Sequence, residues 1–243
     1  MSEAGLSAND VDFEAFYQGK PAIEGTAVSF DVAPWDIGEA QPAVVALAES
    51  GALGGNVLDV GCGPGDNAIF LAGRGHRVTG VDGSETALAK ARQRAAEHGV
   101  DVDFVRDDAT TLDGVPEGMD TVLDSALYHC LSGEQRSAYA AALHRVTAPG
   151  AALHLFCFAD GAQGLQVPMV VSQDDLRENL GAHWDIRSIE PTDYTAALTL
   201  DLLDQVDQEQ LNKAGFAIDR DTVRTDQHGR ILGHVWHLHA ERR

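Results

Sequence analysis

The spacing of apolar and polar positions changes repeatedly between residues 56 and 159. NVLDVG (56–61) is a short apolar run ending in glycine, and DNAIFLAGRG (66–75) follows with helical spacing. Asp66 is placed as the N-cap of that helix and Gly73 or Gly75 as its stop. HRVTGVD (76–82) reads as a strand. SETALAKARQRAAEHG (84–99) then puts Leu88, Ala91 and Ala95 on one helical face between a Ser84 cap and a Gly99 stop. VDVDFVRD (100–107) alternates as a strand does, MDTVLDSALY (119–128) is another apolar run, GEQRSAYAAALHRV (133–146) another helix, and AALHLFCFA (151–159) another buried strand. Strands alternating with helices imply βαβ crossovers and a mostly parallel sheet covered on both faces.

The two ends read differently. Residues 8–50 hold Phe13, Phe16, Tyr17, Phe30 and Trp35 in a loop-rich stretch, then a helix opening near Pro42. HWDIRSIE (183–190) and RILGHVWHLHA (230–240) read as strands. Between them the acidic segment 191–230 carries Leu198, Leu202, Val206 and Leu211 at helical spacing. It fits an insertion capping a pocket, and equally a surface helix on the sheet edge.

Composition narrows the picture. A chain of 243 residues suits one α/β domain with appendages. With 44% hydrophobic residues it can bury a core, so a formal charge of −21 does not imply disorder. That charge repels phosphate backbones and anionic lipid, and no run of Lys and Arg offsets it. No apolar stretch approaches the ~20 residues of a membrane-spanning helix. The acidic first twenty residues lack the basic and apolar regions of a secretory signal. Cys62, Cys130 and Cys157 are too scattered for a disulfide framework or a Cys-x-x-Cys metal site. His237 and His239 share one strand face with His234 opposite, a weak ligand set, so no metal is expected. These features lead to the expectation of a soluble, cytoplasmic chain without nucleic-acid or membrane partners, its oligomeric state, monomer or weak dimer, left open.

The strongest chemical signal is Asp59-Val60-Gly61-Cys62-Gly63-Pro64-Gly65, glycine at alternate positions between a strand and a helix. Glycines there let backbone N–H groups approach a ligand. A dinucleotide fingerprint would need glycine where Asp66 stands, and a phosphate-cradling Gly-Lys-Ser/Thr loop would need a lysine. Asp59 and Asp66 disfavour phosphate and favour an ammonium group. Seventeen residues after Gly65, Asp82 ends the second strand, where a carboxylate can accept hydrogen bonds from both ribose hydroxyls. Asp107-Asp108-Ala109 ends the third, with an acceptor for an adenine amino group and an N–H for a ring nitrogen. Each aspartate alone reads as a loop cap. Together, at successive strand tips, they outline one crevice.

VLDVGCGPG, VTGVDGS, FVRDDA, DTVLDSALYH and LHRVTAPGAALHLF, in that order, resemble the motifs of class I S-adenosylmethionine-dependent methyltransferases over roughly residues 43–160. The resemblance implies a Rossmann-like seven-stranded, mostly parallel sheet with helices on both faces and an antiparallel last strand. It implies S-adenosyl-L-methionine as cofactor, with S-adenosyl-L-homocysteine as product. It places Asp59, Gly61, Cys62 and Gly63 at the methionine end, Asp82 and Gly83 at the ribose, Asp108 and Ala109 at the adenine, and Asp124 and Ser125 beside the sulfonium. Residues 33–42, with Pro34-Trp35-Asp36 and Gln41-Pro42, resemble a segment of the thiol, thiopurine and tellurite branch, in which the tryptophan lies against the cofactor. The chain as a whole resembles mycobacterial enzymes that O-methylate N-hydroxyquinolone toxins.

The fourth-strand tip is Asp124-Ser125-Ala126-Leu127, unlike the Asn/Asp-Pro-Pro-Tyr turn of base and glutamine methyltransferases. The expected organisation is a single domain: a lid at 1–38, a cofactor-binding core at 39–190, a possible substrate cap at 191–229, and a last strand and tail at 230–243. Phe13, Phe16 and Tyr17 are expected to shield the acceptor. His129 and Tyr128 are the candidates to take a proton from an acceptor hydroxyl, His129 having the more suitable ordinary pKa of ~6.5. The expected activity is O-methylation of a small hydroxylated aromatic or heteroaromatic compound, in a detoxifying role. A thiol or thiopurine S-methyltransferase and a non-catalytic cofactor-binding protein remain as alternatives.

Overall fold

Helix α1 (Phe13–Tyr17) and helix α2 (Pro42–Glu49) precede the sheet in the computed structural model, which describes residues 11–26, 32–161 and 164–243. Phe30 and the first ten residues lie outside the described ones. The alternating core then runs β1 (Asn56–Val60), α3 (Asp66–Gly73), β2 (Arg77–Asp82), α4 (Glu85–His98), β3 (Asp103–Arg106) and β4 (Met119–Ser125). A single 3-10 turn over Tyr128–Cys130 leads to α5 (Gly133–Val146) and β5 (Thr147–Phe158). Beyond it come β6 (Leu165–Gln166), α6 (Gln173–Leu180), β7 (Trp184–Thr199), α7 (Leu200–Leu203), α8 (Gln208–Lys213), β8 (Ala217–Ile218), β9 (Arg224–Thr225) and β10 (Arg230–Arg242).

Local chemistry sets the helix ends. The Ser84 hydroxyl accepts from the Ala87 N–H to open α4, and left-handed Gly99 closes it. Ser132 and Gln135 form a reciprocal capping box at α5. At α3 the expected cap is corrected: left-handed Gly65 occupies it, and Asp66 sits in the first turn, free to pair with Arg94 at 2.6 Å.

The main sheet has the order β3-β2-β1-β4-β5-β10-β7, with two-residue β9 added beside β10. Along the seven-stranded path only β10 runs antiparallel, to both β5 and β7. Leu58, Val122, Leu153 and Leu238 pack one face against α5 and α6, through Tyr139, Leu143, Leu176 and Leu180. Val57, Leu123, Phe156 and Val235 pack the other against α2, α3 and α4. A third core joins the N-terminal segment (Ala15, Phe16, Ile23) to Leu165, Leu198, Leu203 and Leu211.

The helical reading, which begins at Ala197, is corrected for 197–199, and the strand ending near 190 extends through 191–199. Those residues prolong β7, paired with β10 as far as Arg230↔Thr199. Tyr194, Ala196 and Leu198 are all buried, the period-two pattern of a strand. The inserted segment therefore starts at Leu200, and β8 pairs with β6 to close it against the chain after β5.

Candidate active site

The carboxyl ends of the parallel strands meet at one edge, and a cavity of about 760 Å³ opens there. Its floor begins at the glycine loop. Gly61, Gly63 and Gly65 all have φ between 53° and 85°. A Cβ on Gly63 would lie 2.8 Å from Tyr17 Oη, so that left-handed site also needs a residue without a side chain. The Gly61 and Cys62 N–H groups donate to the Val81 carbonyl, at 2.7 and 2.9 Å, which ties the loop to the β2 tip. Asp82 receives the Gly63 N–H on Oδ2 and the Ser84 N–H on Oδ1, each at 2.8 Å.

Asp59 lies under the loop, buried, with neither carboxylate oxygen in a hydrogen bond of good geometry. Burial, then the charges of Asp124 and Asp82, push it up to about 7. Asp124 is fully buried too, but accepts from Tyr139 Oη at 2.7 Å and the Leu127 N–H at 2.8 Å. Burial still raises it to about 7. Ser125 and Tyr194 place their hydroxyls 3.2 Å apart on the cavity wall. Ala126 follows with φ 79°, an uncommon angle for a residue with a side chain, as the chain turns at the β4 tip.

His129 and Tyr128 part company. The His129 imidazole lines the cavity, edge-on to Phe158 with centroids 4.8 Å apart, and its Nδ1 has no partner. Burial, with a lesser effect from Arg136, lowers it to about 3, so it is neutral in the working range. Tyr128 faces the core on the α5 side, and its hydroxyl donates to Asp175 at 3.0 Å. Burial and the Asp175 charge drive its pKa far up. The expectation of Tyr128 as a proton acceptor is therefore corrected. Cys130 also borders the cavity, its thiol pushed to about 12 by burial.

Aromatic residues close the top. Trp35 Nε1 donates to Tyr17 Oη at 3.0 Å, and the Trp35 ring meets Phe16 edge-on at 5.1 Å and Phe13 at 6.1 Å. The segment holding Trp35 is anchored on both sides. Pro34 O accepts from the Ala197 N–H of β7 at 2.7 Å, Asp36 makes a two-pronged pair with Arg94 at 2.9 Å, and the Gln41 amide bonds both backbone groups of Thr195. The inserted segment adds Phe216, and the stretch after β5 adds Val167 and Met169.

Comparison with known proteins identifies this arrangement. Residues 57–150 match a methyltransferase domain family. The chain is 36% identical over 182 residues to 2-heptyl-1-hydroxyquinolin-4(1H)-one methyltransferase of Mycobacteroides abscessus, covering 74% of this chain and 78% of that one. The chain belongs to the S-adenosylmethionine-dependent methyltransferases. A solved structure described as "Conversion of a Disulfide Bond into a Thioacetal Group during Echinomycin Biosynthesis" is 30% identical, with TM-score 0.70 over 95% of this chain and 91% of that one. Magnesium protoporphyrin IX methyltransferase of Synechocystis PCC 6803 with bound cofactor shares the fold at 23% identity, with TM-score 0.54, over 83% of this chain and 76% of that one. Among the described residues no helix is long and apolar enough to cross a membrane.

The residues of this methyltransferase fit the cofactor. Gly63 would not admit a side chain, and Asp59 is a buried carboxylate whose oxygens lack a hydrogen bond of good geometry, suited to a cationic group beside it. Of the residues expected from sequence, Trp35, Gly61, Asp82, Gly83, Asp108, Ala109, Ser125, Phe13, Phe16, Tyr17 and His129 line the cavity together. Asp59, Cys62, Gly63 and Asp124 lie just behind it, buried or beneath the loop. Sequence reasoning missed Glu14, Phe158, Tyr194 and Phe216. The first is one acidic residue among many, and the others are brought in by tertiary packing that no local motif marks.

Proposed function

We propose that this methyltransferase transfers a methyl group to the hydroxyl oxygen of a small hydroxylated heteroaromatic compound of the N-hydroxyquinolone kind, in a detoxifying role. The observation that carries this reading is the wall of the cavity away from the glycine loop. Phe16, Trp35, Phe158, Leu198 and Phe216 make it apolar and aromatic, and among the described residues that line the cavity the one arginine, Arg106, lies at the opposite, β3 end. A carboxylate- or phosphate-bearing acceptor would want a basic partner there. The relative from Mycobacteroides abscessus is named for a hydroxyquinolone with a heptyl chain, and an apolar chamber shared by lid and cap suits such a tail.

In this reading the chain is one methyltransferase domain with an N-terminal lid and a cap that follows β7. Asp82 and Gly83 hold the ribose, Asp108 and Ala109 the adenine, and Asp59, Gly61, Cys62 and Gly63 the methionine end. Trp35, Asp124 and Ser125 border the reacting centre. Bound S-adenosylmethionine supplies an electrophilic methyl group on a sulfonium. The protein then contributes alignment and exclusion of water. Phe158 and Trp35 orient a flat ring. Neutral His129, a weak base in this buried site, accepts a hydrogen bond from the hydroxyl and takes its proton only as the methyl arrives and that oxygen becomes strongly acidic. Ser125 and Tyr194 offer hydrogen bonds to a second oxygen of the acceptor.

A sulfur acceptor is the second reading, favoured by 30% identity to the protein of the disulfide-to-thioacetal conversion. Both are tested by offering hydroxyquinolones, flavonols, simple phenols, aryl thiols, a cyclic disulfide and halide, and following S-adenosylhomocysteine release. Turnover is expected to be fastest with hydroxyquinolones. Preference for thiols or halide over every hydroxylated ring would overturn the oxygen assignment and leave the methyltransferase intact.

A further inference from the structure

Helix α1 carries two sets of side chains with different destinations. Phe13 and Phe16 line the cavity. Glu14 reaches across to the N-terminus of α4, where its carboxylate accepts from the Ser84 and Thr86 hydroxyls and from the Thr86 N–H. That N–H is one of the unpaired donors at the start of α4, so Glu14 supplies a cap from a distant part of the chain. Lys90, one turn further along α4, donates to the Tyr17 carbonyl at 2.7 Å. Ser84 is shared. Its hydroxyl donates to Glu14, and its N–H donates to Asp82, the carboxylate at the β2 tip.

We propose that Glu14 is a positioning residue that latches the lid helix to the ribose end of the cofactor site, so that cofactor occupancy and acceptor binding reinforce each other. The inference rests on the cofactor assignment above. A ligand that orders Asp82 and Ser84 orders a donor of the latch, and a latched α1 brings Phe13 and Phe16 down on the methyl-acceptor side. Hydrogen bonds from the two hydroxyls hold the Glu14 carboxyl at about 2, so the latch stays charged across the working range and responds to ligand rather than to pH.

The test is hydrogen exchange of residues 13–18 with and without S-adenosylhomocysteine, in wild type, Glu14→Ala, Glu14→Gln and Thr86→Val. In wild type the ligand should slow exchange about tenfold, a typical coupling between sites. Glu14→Ala should lose most of that protection, Thr86→Val part of it, and Glu14→Gln should restore some, because its amide oxygen still accepts. Binding of 2-heptyl-1-hydroxyquinolin-4(1H)-one should tighten about tenfold on adding S-adenosylhomocysteine to wild type, and hardly at all in Glu14→Ala. A merely structural role for Glu14 would weaken acceptor binding equally with and without the cofactor product. Equal ligand-induced protection in wild type and Glu14→Ala would overturn the latch. If wild type failed to bind S-adenosylhomocysteine, the cofactor assignment would fall first and take the latch with it.

Discussion

Asp82 holds the β2 tip together with one carboxylate, and this makes its substitution informative. Its two oxygens take the Gly63 and Ser84 N–H groups, so the side chain shapes the loop it would share with a ribose. Asp82→Ala should weaken S-adenosylmethionine by ~1–3 kcal/mol, because donors on protein and ligand lose their acceptor. Calorimetry finding an unchanged affinity would remove that strand tip from the site. His129 makes a different prediction. Held at about 3, it does not titrate near neutrality, so it contributes no ionisation between pH 5 and 8. Apart from Asp59 and Asp124, which titrate there in the empty protein, an acid limb of the rate in that interval should therefore come from the acceptor hydroxyl and move with its pKa across a substrate series. His129→Asn should slow turnover by about 100-fold with weakly acidic acceptors and by less as acidity rises. A uniform loss across the series would make His129 a positioning residue.

At the scale of elements, β5 and β10 bring together three histidines on the α2 side of the sheet. His154 Nδ1 and His237 Nε2 lie 3.2 Å apart, and the His239 ring stacks on His154 at 4.7 Å. Burial and the neighbouring histidines lower His154 to about 3, and burial lowers His237 to about 4, from 6.5. The native state thus binds fewer protons than the unfolded one. Stability present above ~6.5 is lost as pH falls toward the folded values, by at most roughly 2 kcal/mol per histidine at pH 5. Asp59 and Asp124 act the opposite way in the empty protein. Raised to about 7 from 3.8, they stabilise fully below ~3.8 and lose that contribution as pH rises through 7. Because the two sets oppose each other, the clean measurement is a difference. The stability of His154→Phe relative to wild type should rise by about 2 kcal/mol between pH 7.5 and pH 5 in urea unfolding. An unchanged difference would mean that His154 is not held neutral by its site. The strands themselves were legible because Val57–Val60, Val78–Val81 and Val122–Leu123 are buried on both faces and leave short, mostly apolar runs, interrupted only by buried Asp59 and by Thr79 and Gly80. The histidine cluster was not, since His154 and His237 are 83 residues apart and meet only through strand pairing. Residues 197–199 misled for a related reason: a strand buried along one face and leading straight into a helix at Leu200 can be counted at either period.

On the scale of the whole molecule, two large cores flank the sheet and belong to the cofactor-binding framework, a third joins lid and cap, and a small cluster packs Tyr17 and Ala33 on Ala87 of α4. The five ordered motifs made the framework readable. The third core was legible only as an excess of aromatics near the N-terminus, because its halves, around Phe16 and around Leu203 and Leu211, come from opposite ends of the chain. That division predicts what truncation does. Removing residues 1–30 takes Ala15, Phe16, Ala22 and Ile23 from the third core and Tyr17 from the small cluster with Ala33 and Ala87, and nothing from the two cores that flank the sheet. It spares Pro34, Asp36 and Gln41, whose bonds to β7 and Arg94 fasten the remaining segment. The truncated chain should keep a cooperative thermal transition and still bind S-adenosylhomocysteine, though more weakly without Tyr17 over the glycine loop and Glu14 at the start of α4. The acceptor side would stand open to water, with Trp35 stripped of Phe13, Phe16 and Tyr17. Turnover should fall by on the order of 100-fold or more, since alignment and desolvation are what the protein supplies. Full turnover after truncation would return α1 to simple packing and move acceptor recognition to the cap alone.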